Sequence, residues 1–137
     1  MSANTEFRTC PTTGLKADLA AEKLIKANAV AAVIFLAIGG LFGLLVALTR
    51  WPEVHLLPAD WFYLALTAHG LDVLLVWIIF FEMAVLYFAS AILLGSRLAG
   101  PRWAWTGFGL MLAGAPMCDE QILSVGFAVE KLQLLGF

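Results

Sequence analysis

Two long stretches of the chain carry almost no charge, and short polar turns separate them. From Ala27 to Thr49 no residue is ionisable. That run is about 23 residues, or about 34 Å as a helix, which exceeds a hydrocarbon core of about 30 Å. A cleaved leader would have an apolar run of only about 7–15 residues before a small-residue site. This run is longer and ends in Thr49-Arg50-Trp51, so it predicts a retained membrane helix. Before it, residues 1–13 are polar and rich in Ser and Thr. Residues 14–26 place Leu15, Leu19 and Ile25 among Lys16, Lys23 and Lys26, which predicts an amphipathic lead-in on the membrane surface.

Arg50 to Asp60 is a turn with two prolines, flanked by Trp51, Trp61 and Tyr63 as at a lipid–water interface. The second apolar run, Trp61 to Leu94, spans about 51 Å if helical and must tilt or protrude. Ser96 to Arg102 then makes a Gly-Pro turn. A third apolar segment starts at Trp103 and lasts about 15 residues, or about 22 Å, before Cys118-Asp119-Glu120. That is too short to span. It predicts a re-entrant or surface segment, or an incomplete chain whose tail does not belong to the original helix.

Composition agrees with the pattern. Of 137 residues, 62% are hydrophobic and 13% charged, well outside the range of soluble domains. The expected fold is all-α and integral to the membrane, with two to three transmembrane helices. Lys16, Lys23, Lys26, Arg97 and Arg102 fall on one side and Arg50 alone on the other. The positive-inside rule then puts the N-terminus in the cytoplasm. A net charge of -2 without a basic run argues against nucleic acid. Cys10 and Cys118 have no metal-ligand or redox spacing. No phosphate loop, nucleophile elbow or catalytic carboxylate pair stands out, so no catalytic residue is assigned.

Candidate chemistry sits in the second run, which holds His69, Asp72 and Glu82. Ionisable groups at such depth cost about 2.5–3.5 kcal/mol each on insertion scales and persist by facing a cavity, a partner or a cofactor. At 100° per residue, Phe62, Leu66, Val73, Val76 and Phe80 share the face of His69 to within about 60°. An imidazole on an apolar wall suits a haem iron, with the other ring N–H held by an acceptor. A hydrogen bond to a neighbouring helix is the rival reading. Asp72, at i+3, is placed to accept from the imidazole or to reach water or a cation. Glu82 lies about 140° away around the helix and cannot serve the same ligand. His55 reads as a surface histidine, and pairing it with His69 on one haem is hard within so short a turn. The Gly39-Gly40-Leu41-Phe42-Gly43 stretch reads as a helix-packing surface.

Three stretches together resemble subunit I of the haem–copper terminal oxidases, with B-type cytochrome c oxidases the nearest branch. AEKLIKANAVAAVIFLAIGGLFGLLVALTRWP is similar to that family's helix I. FYLALTAHG is similar to the start of its helix II, and RLAGPRWAWTGFGLMLAGA to the turn and start of helix III. The resemblance covers roughly residues 20–115. It implies that the chain is the N-terminal part of the oxidase helical bundle, in a bacterial inner membrane. It further implies that His69 is one axial ligand of the low-spin haem iron. Expected partners are subunit II with its copper site, cytochrome c and membrane lipid. The family reaction is electron transfer from cytochrome c to oxygen with proton translocation.

That family uses six histidines for two haems and a copper, whereas this chain has two. The copper and the second haem therefore belong to a complete subunit, and the chain alone is expected to be inactive. Three regions follow: a lead-in at 1–26, helices I, II and the start of III at 27–115, and an atypical tail at 116–137. The tail is expected to be truncated or frameshifted. The alternative function is a small non-enzymatic membrane protein for interaction or assembly.

Overall fold

The structure is a computed structural model that describes residues 7–135. It opens with a small hairpin: β1 (Phe7–Thr9) pairs antiparallel with β2 (Lys16–Asp18), with Arg8 opposite Ala17. The turn between them is closed by Cys10 N–H donating to Leu15 O and Gly14 N–H to Cys10 O, each at 2.9 Å. Three helical rods follow. The first is α1 (Leu19–Arg50). The second joins α2 (Ala59–Leu71), a π-turn at Asp72–Val76, α3 (Trp77–Phe88) and a further π-turn at Ala89–Leu93. The third is α4 (Pro101–Leu134). The first two rods, Leu19–Arg50 and Ala59–Leu93, are long and apolar enough to cross a membrane.

Asp18 starts α1. Its Oδ1 accepts from Ala20 N–H at 3.3 Å, satisfying a donor at the helix start. Its Oδ2 accepts from Leu98 N–H, also at 3.3 Å, so the same carboxylate holds the turn that leaves the second rod. Glu22 adds pairs with Lys26 at 2.5 Å and Arg8 at 3.2 Å. Residues 14–26 are thus divided between two elements. Part of the segment pairs in the hairpin, because Asp18 caps at that point, and the rest is the first two turns of α1.

The second rod buries Ala65, Ala68, Asp72, Val76, Phe80, Ala84 and Ala91. From 68 to 84 the steps are all of four. An α-helix has 3.6 residues per turn, so such a stripe drifts around a straight helix. The wider π-turn at Asp72–Val76, where Trp77 N–H donates to Asp72 O, helps keep it on one side. Phe35 of α1 stacks on Phe80 with centroids 5.5 Å apart, and Phe108 of α4 meets Phe80 edge-on at 5.9 Å. Ala31, Ala32, Val76 and Ala115 complete this core.

The third segment is one continuous helix rather than a re-entrant turn. α4 continues through Pro116, Asp119 and Glu120, and Trp61 of α2 packs edge-on against its Phe127 at 5.2 Å. The proline removes one backbone donor but leaves the helix continuous.

Candidate functional site

His69 sits on α2, half-buried against α1. Its Nδ1 lies 2.8 Å from the carbonyl oxygen of Gly39. A carbonyl only accepts, so Nδ1 carries the proton and donates. In the neutral ring that leaves the lone pair on Nε2, the form of imidazole that binds a metal.

The close approach depends on the absence of side chains on α1. A Cβ on Gly43 would stand 2.7 Å from His69 Cε1 and 2.8 Å from Nδ1. A Cβ on Gly39 would stand 2.8 Å from Asp72 Cβ and from Val73 Cγ2. The Gly-x-x-x-Gly pair is therefore more than a packing surface. Gly43 seats the imidazole, and Gly39 supplies its acceptor while admitting the next turn of the second rod. A backbone carbonyl leaves no mark in a sequence. The one available signal was an i, i+4 glycine pair on the helix that precedes the histidine.

Asp72 is fully buried. Neither of its carboxylate oxygens has a hydrogen-bond partner among the described residues. It does not accept from His69, since that ring donates to Gly39 instead. Of the wall expected around His69, Val76 and Phe80 turn into the three-rod core, and Leu66 is 41% exposed. The buried stripe is centred on Asp72 rather than on His69, which lies at its edge. Glu82 is exposed beside Phe81, Val85 and Leu86, away from the histidine. His55 lies in the 51–58 loop, exposed, with Nδ1–H donating to Pro52 O at 3.2 Å and a left-handed φ of 38°.

No group of three or more metal-ligating side chains occurs among the described residues. The donor set at His69 is a single imidazole nitrogen with its other N–H anchored, which fits one axial position of a haem iron. Outside the rods, Cys10 is the chemically distinctive residue. The Thr13 hydroxyl, then the Thr13 and Thr12 backbone, stabilise its thiolate and lower its pKa to about 7.

The family model for cytochrome c and quinol oxidase polypeptide I matches residues 23–129. Comparison with curated proteins finds no match, and neither does comparison with solved structures. The matched span takes in the first apolar rod from Lys23, the whole of the second, His69 with its glycine seat, and most of α4. The chain belongs to the cytochrome c and quinol oxidase polypeptide I family.

Proposed function

We propose that this chain supplies His69 as one axial ligand of the low-spin haem in a haem–copper oxidase subunit I. The carrying observation is the bond from His69 Nδ1–H to Gly39 O, which leaves Nε2 free to ligate. Gly43 lets the ring approach α1 closely, so its position is set before any cofactor arrives. Such an anchored second nitrogen fixes the tautomer and raises the basicity of the ligand. When bound, the haem supplies one-electron redox chemistry. The work of this chain is to hold the ligand ring in one tautomer and one orientation.

In this reading electrons reach the site from cytochrome c by way of a copper centre in subunit II. They leave for an oxygen-reducing haem–copper pair coupled to proton translocation. That pair needs more histidines than the two in this chain, so it lies in other helices of a complete subunit. The lysines at the start of α1 and the arginines at 97 and 102 support an N-terminus on the cytoplasmic side of a bacterial inner membrane.

The same bond would also serve a non-enzymatic protein that uses His69 only to join two helices. Two variants separate the readings. His69→Asn keeps a donor near the position of Nδ1 but has no nitrogen to ligate iron, and His69→Ala lacks both. Haem titration of the purified chain should show a Soret shift that both variants lose. Unchanged binding in His69→Asn would sink the ligand assignment. In a full-length parent, both substitutions should remove the low-spin haem band.

A further inference from the structure

Between α1 and α4 runs a groove of about 500 Å³, lined by Ala27, Val30, Ala31, Ile34, Phe35, Phe108 and Leu112, with Lys23 and Lys26 at one end. We propose that this groove holds one acyl chain of an anionic phospholipid, with its phosphate at the two lysines.

Three observations carry the assignment. The first is depth. From Lys23 to Ile34 is about 17 Å along α1, and Leu112, the deeper of the two α4 residues in the lining, lies about 15 Å along α4 from Arg102. Both walls therefore end about 15 Å from the charged level, the thickness of one leaflet's hydrocarbon. That is the depth a single acyl chain of one leaflet reaches.

The second is the lining. Val30 is 58% and Ile34 52% exposed, while Phe35 is buried beneath them and stacked on Phe80. The floor is thus rigid and aromatic, and the rim is aliphatic and open.

The third is charge. The end of the groove carries Lys23, exposed, and Lys26, whose ammonium is held at 2.5 Å by Glu22 while Arg8 shares that carboxylate. Arg8, Lys23 and Lys26 against Glu22 leave an excess of positive charge where a phosphate would lie. Asp18 is turned away, its oxygens committed to Ala20 and Leu98.

The test is native mass spectrometry of the full chain from mixed micelles with equal dioleoyl-phosphatidylglycerol and dioleoyl-phosphatidylcholine. The expected result is one retained lipid, with phosphatidylglycerol preferred roughly tenfold. Lys23→Glu with Lys26→Glu should bring that preference to about one. Val30→Trp, which fills the groove at an exposed position, should cut retention of both lipids. Arg97→Glu with Arg102→Glu removes equal charge from the same side of the membrane, outside the groove, and should leave the preference intact. Circular dichroism checks that each variant keeps its helicity. Equal retention of the two lipids in the unaltered chain overturns the proposal. So does equal loss in the two charge-reversed pairs, which would mean general surface attraction. Displacement of the lipid by inorganic phosphate would mean capture of the headgroup alone. If Val30→Trp instead dissociated a dimer, the groove would belong to a second copy of the chain.

Discussion

The first two rods meet in two different ways within a few turns of each other. Around Gly39 and Gly43 the contact is made by missing side chains, and a ring nitrogen reaches a backbone carbonyl. One turn along α1, at Phe35, it is made by large side chains, and the aromatic rings of three rods layer on one another. In lipid, helices gain little from burying apolar surface, so both seams rest on packing and polar satisfaction. The glycine seam gives up contact area to fix one polar group. The aromatic seam fixes position by bulk and has no polar group to satisfy. Orientation of a ligand and cohesion of the bundle are thus assigned to separate residues, and substitutions can separate them.

The largest effect is expected at the glycine seam. Gly43→Leu places a side chain where the imidazole lies, so haem binding should fall as far as in His69→Ala. Gly43→Ala still forces the ring to move, because 2.7 Å is inside any real Cβ contact. It should weaken haem binding roughly tenfold. Both are read by the same Soret titration, and wild-type binding in Gly43→Leu would mean that the seat is not needed.

At the aromatic seam, Phe80→Ala should destabilise the fold by about 3–5 kcal/mol. It removes a ring that contacts both α1 and α4. Unfolding in sodium dodecyl sulfate, followed by helicity, measures it. Haem affinity per folded chain should change little, and a parallel loss would show that the two seams are coupled.

Asp72 tests the boundary between them. Its Cβ packs at Gly39, yet its oxygens have no hydrogen-bond partner among the described residues. Asp72→Ala keeps the Cβ and removes the unsatisfied atoms, so it should stabilise the isolated chain by roughly 1–3 kcal/mol. A loss of stability in the same detergent titration would mean that the carboxylate has a partner that this geometry does not reveal.

The smallest effect lies outside both seams. With its pKa lowered to about 7, Cys10 is mostly thiolate above neutral pH, so its alkylation by iodoacetamide should rise through pH 6–8. Thr13→Val removes the hydroxyl that contributes most to the shift and should move that rise to higher pH. Neither change should alter haem binding or unfolding.

The two apolar rods were legible because charge-free runs longer than a bilayer have few other readings. His69 was legible as a candidate for the same reason: a histidine in such a run needs an explanation. Its partner was not, because Gly39 acts through its backbone. The helical wheel put Val76 and Phe80 on the face of His69 by assuming 100° at every residue, and the π-turn at Asp72–Val76 breaks that assumption. The length of α4 was hidden by Pro116, Asp119 and Glu120, which interrupt the hydropathy without interrupting the helix. The hairpin was hidden because three-residue strands are too short to show alternation.

The Asp18 carboxylate has a consequence in terms of chain connectivity. The loop at 51–58 already joins the first two rods covalently at one end. By gripping Leu98 N–H, Asp18 joins them at the other, across 80 residues of sequence. The pair is therefore a closed circuit rather than an open fork, and its rods cannot splay at that end while the bond holds. The third rod leaves just beyond the clasp, at Pro101, so it has a fixed pivot. Towards its other end α4 is tied to α2 by Phe127 against Trp61, so the rod is held near both ends.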